Sequence, residues 1–189
     1  MSAFDEERID KLVSGAVGGD TEAFGALFDI YADRVFAFVR SRVENRHDAE
    51  DITETVFLKA FEAIPSYRRK GPPFGAWLFR IARNAVVDHV RRSGRSPQLA
   101  EDLGDLVGAD PLQTHEKVFA KIEAEQLGVL VRRLTQEQSE VIACRFYWDM
   151  DVRETARSLG RTEGSVKALQ HRALRSLARL LEEQEIDEA

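Results

Sequence analysis

The sequence predicts an all-α chain of two helical domains joined by a flexible acidic linker, the C-terminal one a helix-turn-helix. Three observations predict this. Ala, Glu, Arg and the aliphatics dominate the 189 residues, apolar positions recur at helical spacing, and clean β-alternation is scarce. One stretch, Ser96–Glu116, combines Gly, Pro and acids without an amphipathic period, as a linker does. Near the end, "DVRETARSLGRTEGSVKAL" sets small, Gly and aliphatic residues at the spacing that packs two helices across a tight turn.

With 43% hydrophobic and 32% charged residues, the chain reads as soluble and globular. Its one cysteine, Cys144, excludes an internal disulfide framework and a Cys-rich zinc site. His47, His89, His115 and His171 are scattered without metal-ligand spacing, so no metal or cofactor is expected. The acidic start "MSAFDEERIDKLV" lacks an apolar signal core, and no apolar run approaches the roughly 20 residues of a membrane span. A cytoplasmic protein without membrane insertion is expected. The net charge of -6 conceals a partition: Ser96–Glu116 carries -5 and the end of the chain from Glu182 another -5, so the remainder is +4.

A short leading helix is expected over Glu6–Val17. The next starts at an Asp20 or Thr21 cap, with Phe24, Leu27, Phe28, Tyr31, Val35, Phe38 and Val39 on one face. "DAEDITETVFLKAFEAI" turns Ile52, Val56, Phe57, Ala60, Phe61 and Ile64 inward, and Pro65 ends it. "PSYRRKGPP" is a loop, and "FGAWLFRIARNAVVDHVRRSGR" a long helix stopped at Ser93-Gly94. From Lys117, "KVFAKIEAEQLGVLVRRL", "TQEQSEVIACRFYWD", "DVRETARSLG" and "GRTEGSVKALQHRALRSLARLL" give four more helices. The expected organisation is a first domain over 1–95, an acidic linker over 96–116, a helix-turn-helix domain over 117–181 and an acidic tail over 182–189.

In the helix-turn-helix, Ala156 lets the second helix approach and Gly160 supplies the positive φ of the turn. Leu159, Val166 and Leu169 complete the apolar contact, and Thr162 caps the second helix with Glu163 in its first turn. Val166, Leu169, Ala173, Leu177 and Leu180 then face inward, while Lys167, His171, Arg175 and Arg179 form an outward stripe with Arg172 beside it. Such a helix can enter a major groove by its N-terminal turns. Thr162, Ser165, Lys167, Ala168 and His171 are the candidates for base edges, and Arg172 and Arg175 for phosphates. An exposed cationic helix without a ligand is the competing reading; the well-formed turn before it weighs against that.

"GPPFGAWLFRIARNAVVDHVRR" places Trp77, Arg80, Asn84, Asp88 and Arg91 near one helical face and Leu78, Ile81, Ala82 and Ala85 on another. Tyr67, Phe74, Trp77 and Phe79 are interleaved with Arg68, Arg69, Lys70, Arg80 and Arg83. Rings that stack bases among cations that meet the backbone suit single-stranded nucleic acid. Phe74 and Phe79 read better as core, and Trp77 fits either role. Nothing supports an enzyme: there is no Gly-rich phosphate loop and no Ser/His/Asp arrangement, and Cys144 reads as a buried structural thiol.

Together "DAEDITETVFLKAFEAIPSY", "FGAWLFRIARNAVVDHVRR" and "LTQEQSEVIACRFYWDMDVRETARSLGRTEGSVKALQHRALRSL" resemble, in order along the chain, an extracytoplasmic-function (ECF) sigma factor of the sigma-70 family. The resemblance implies a protein that binds core RNA polymerase and directs promoter-specific initiation. It implies a region 2-like first domain that recognises and melts the −10 element, and a region 4-like second domain that reads the −35 element. Asp51, Glu54, Thr55 and Phe57 are then candidates for core-polymerase contact. Tyr67, Arg68, Arg69, Trp77, Arg80, Asn84, Asp88, Arg91 and Arg92 are candidates for −10 DNA, with the loop Ser66–Pro73 matching the one that captures a flipped base and Arg95 a further phosphate contact. Where the family commonly reads Asp-Leu-Val-Gln-Glu-Thr, this chain has "DITETV", with Glu54 for Gln and Thr55 for Glu. The resemblance threads the acidic linker through polymerase, where its carboxylates could occupy a channel built for RNA, and adds an anti-sigma factor as an implied partner. The rival is a stand-alone helix-turn-helix transcriptional regulator, which would footprint DNA without polymerase.

Overall fold

The computed structural model describes residues 3–68, 72–93 and 124–187, with side chains described for 6–68, 72–93 and 128–183. Among them are eight α-helices and no strand. Helices α1 (Ala3–Val17), α2 (Thr21–Arg40), α3 (Arg46–Ala63) and α4 (Phe74–Arg92) build one compact unit. Helices α5 (Ala124–Arg132), α6 (Gln136–Ile142), α7 (Val152–Leu159) and α8 (Glu163–Asp187) build a second, and α6 runs on into a π-helical segment, Ala143–Tyr147. The expected linker over 96–116, the helix start at Lys117, Arg69 and Arg95 lie outside the described residues.

Capping residues explain where α2 and α3 begin. Asp20 accepts from the backbone N–H groups of Glu22 (2.9 Å) and Ala23 (3.1 Å), and Asn45 accepts from those of His47 (2.8 Å) and Asp48 (3.4 Å), satisfying donors that the helix leaves unpaired. α3 passes at Ala63 into a 3₁₀ turn, Ile64–Ser66, so Pro65 shortens the expected loop by one tight turn. A Cβ on Gly15 would lie 3.0 Å from that of Ala23, which is how closely α1 approaches α2. The core joins Val13 of α1, Leu27, Val35, Phe38 and Val39 of α2, Val56 and Ala60 of α3, and Leu78, Phe79 and Ala82 of α4. Each large side chain buried here contributes about 1.5–3 kcal/mol.

Two inward assignments are corrected. Phe28 and Phe61 keep 42% and 45% of their surface exposed. Each sits at the margin of its apolar stripe and packs one side of its ring, Phe28 against Phe57 (4.6 Å) and Phe61 against Phe24 (5.0 Å).

In the second unit Val141, Ala156, Val166 and Leu169 form a cluster that Val152 and Leu159 border. Gly160 ends α7 with φ 65 and ψ 36, the left-handed geometry of a helix stop. α7 opens with a reciprocal cap: the Asp151 carboxylate accepts from Glu154 N–H at 2.7 Å, and the Glu154 carboxylate accepts from Asp151 N–H at 2.9 Å. α8 is buried at Val166, Leu169, Ala173, Leu177 and Leu180, and also at Leu174. It continues as helix past Leu181, where the sequence reading placed a tail.

Candidate nucleic-acid interface

α4 separates its two faces sharply. Leu78, Phe79, Ala82, Ala85 and Val86 are buried, while Arg80, Asn84, Arg91 and Arg92 are exposed. At the N-terminal end of this outward face stand Tyr67 and Trp77, both half-buried, with ring centroids 5.3 Å apart. Beneath them Phe74 contacts Trp77 (5.4 Å), Tyr67 (6.0 Å) and Tyr31 (5.4 Å), so the two outer rings rest on the core rather than standing alone. The Tyr67 hydroxyl donates to Pro72 O at 2.8 Å, and Arg68 beyond it is exposed. Asp88 is occupied locally: its carboxylate lies 3.7 Å from Arg91 and its carbonyl accepts from Arg92 Nε at 3.2 Å. Of the region's sequence candidates, the structure gathers Tyr67, Trp77, Arg80 and Asn84 into one surface and holds Arg91 and Arg92 around Asp88.

α3 presents a second surface. Asp51, Glu54 and Thr55 are exposed on it, but Phe57 is 6% exposed and supports Phe28 from below. Its position in the helix turns it into the core, so it supports this surface and does not line it. Sequence reasoning missed Leu58, 60% exposed, which with Phe61 prolongs the row begun by Asp51, Glu54 and Thr55 at three- and four-residue steps. Its signal was an apolar residue off the inward face. At the N-terminal end of α3 His89 of α4 lies 3.7 Å from Asp48.

In the second unit, Thr162 Oγ1 accepts from Ser165 N–H at 3.2 Å, the cap expected at the head of α8. Thr162, Lys167 and Ala168 are exposed; Ser165, His171 and Arg175 are half-buried on the same outward side. Arg172 is half-buried too, with its Nε fully enclosed. Arg179, at the far end of the stripe, lies 3.7 Å from Glu183, which also pairs with Arg133 at 3.2 Å. Two further contacts, absent from the sequence reading, hold this helix. Arg161 pairs with Glu137 of α6, and Arg145 Nε donates to Gln170 Oε1 at 3.1 Å.

These three surfaces fall within two matches to known protein families, those of α3 and α4 in the first and that of α8 in the second. Residues 27–96 match Sigma-70 region 2 and residues 130–179 match Sigma-70, region 4. The chain is 39% identical over 179 residues to the ECF RNA polymerase sigma factor BldN of Streptomyces coelicolor, covering 94% of this chain and 67% of that protein. It is 32% identical over 176 residues to the ECF RNA polymerase sigma factor SigD of Mycobacterium tuberculosis, covering 90% and 82% respectively. The chain belongs to the ECF sigma factors. This sigma factor resembles, with TM-score 0.68 and 25% identity over 94% of its own length and 97% of the other, the solved structure of CnrH in complex with the cytosolic domain of CnrY. ECF sigma factors are transcription initiation factors, and this one carries the two regions through which the sigma-70 family works with core polymerase and promoter DNA. Among the described residues no helix is long and apolar enough to cross a membrane.

Proposed function

We propose that the exposed face of α4 receives the −10 element, the outward side of α8 the −35 element, and the exposed row on α3 core polymerase. One observation carries the reading: α4 is apolar beneath and holds Arg80 and Asn84 in the open beside two half-buried rings, Tyr67 and Trp77. Rings anchored on one side and open on the other can stack unpaired bases, while the arginine meets the backbone. On α3 the core contact is assigned to Asp51, Glu54, Thr55, Leu58 and Phe61, a small apolar patch framed by polar groups, as interface centres are. An anti-sigma factor would compete for that patch. In this reading the protein acts in the cytoplasm, where polymerase works, and leaves the chemistry of RNA synthesis to the core enzyme. The test is reconstituted transcription with purified protein, bacterial core polymerase and a library of promoter fragments, scored for discrete run-off starts. Specific starts that disappear on Arg80→Ala or Asn84→Ala are expected. DNA footprinted by the protein alone, with no core binding and no starts, would instead indicate a stand-alone helix-turn-helix regulator.

A further inference from the structure

We infer that Arg145 is a positioning residue for promoter readout: it sets the roll of α8 and does not itself bind DNA. This rests on the reading of α8 as the −35 helix. The Arg145 guanidinium is half-buried and spans three elements. From the π-helical segment its Nε donates to Gln170 Oε1 at 3.1 Å, and a terminal nitrogen donates to the carbonyl of Met150. Met150 N–H in turn donates to Cys144 O at 3.0 Å and directly precedes Asp151, the cap of α7. One planar group with donors at fixed angles therefore ties the π segment to the start of α7 and to the middle of α8.

The apolar cluster of Val141, Ala156, Val166 and Leu169 cannot do this alone. It holds α8 at a distance, but burial of apolar surface is non-directional and resists rotation about the helix axis only weakly. Gln170 lies between Ala168 and His171 in sequence, so any roll of the helix at that point carries both of them and Lys167 with it. Hydrogen bonds to base edges need alignment within about 10–20°. Contacts to phosphate position the protein without carrying sequence information. Releasing Gln170 should therefore erode discrimination between sequences more than it erodes binding. The Arg161–Glu137 pair braces the same helix near its N-terminal end, and the Arg145 bond reaches its middle.

The experiment uses the full chain with core polymerase on a promoter fragment recovered by run-off, and on the same fragment with its upstream element scrambled. Arg145→Ala and Gln170→Ala should each lower the intact-to-scrambled affinity ratio by about 5- to 20-fold, with the double variant no worse than Arg145→Ala, because both remove one link. The slope of log K against log salt should stay unchanged, and Arg145→Lys, which keeps a donor, should recover part of the ratio. A loss equal on both fragments with a slope smaller by about one would make Arg145 a direct phosphate contact and overturn the inference. An unchanged ratio in Gln170→Ala, which removes a half-exposed side chain with little risk to folding, would overturn it too. Lys167→Ala is the control for the underlying reading: if it leaves the ratio intact, α8 does not read the upstream element, and both statements fall.

Discussion

Phe57 and Leu58 are neighbours with opposite fates. Phe57 is 6% exposed and Leu58 60% exposed, so the same truncation tests different things at each. Phe57→Ala should cost about 3–5 kcal/mol of stability, through lost burial and the cavity left under Phe28. Leu58→Ala should change stability by no more than about 0.5 kcal/mol. Leu58→Asp should weaken core-polymerase binding by tenfold or more, since losing a central anchor costs about 2 kcal/mol. Urea denaturation separates the first pair, and titration of labelled core polymerase measures the last. Tyr31 behaves differently again. Burial raises its phenol above the usual 10.0, against a smaller opposing effect from Arg34. The folded state thus favours the neutral phenol. Its contribution is fully present below the unfolded pKa and is lost as pH rises through the folded one. Stability should fall above about pH 10, and Tyr31→Phe should remove that part of the decline while leaving neutral-pH stability little changed. Thermal melts of both proteins at neutral and alkaline pH check it.

At the scale of the element, the turn between α7 and α8 rests on Gly160. A Cβ there would meet nothing within 4 Å, so the cost of Gly160→Ala comes wholly from holding an L-residue at φ 65. That cost is about 1–2 kcal/mol, and Gly160→Asn should recover part of it. Melting curves of the three proteins decide the point. This turn was legible in the sequence because its physics is local: small residue, glycine, cap and apolar contacts all lie within one short stretch. The helices were legible for the same reason, their apolar period being a property of neighbours. The ties that hold α8 were not. Arg145 and Gln170 are 25 residues apart and Arg161 and Glu137 are 24 apart, and no period links them. The margins of stripes failed for a third reason. Phe28 and Phe61 have the right spacing for the core, but a helix offers a neighbour only part of its girth, and residues at the edge pack one side of a ring.

At the scale of the molecule, the division of labour shows in salt. If α8 meets phosphate through Arg175, then Arg175→Ala should weaken promoter binding by the polymerase complex about equally on matched and scrambled upstream elements. It should also reduce the slope of log K against log salt by about one. Arg80→Ala should instead spare the closed complex and impair opening. Binding isotherms across a salt series, paired with permanganate footprinting of melted DNA, separate the two. The Glu183 carboxylate has a consequence on this scale as well. By pairing with both Arg133 and Arg179 it fastens the last turns of α8 to the residue that follows α5, the first described helix of its unit. One carboxylate shared between two arginines works as a clasp, and it holds those turns against the unit where an unsupported helix end would fray into solvent.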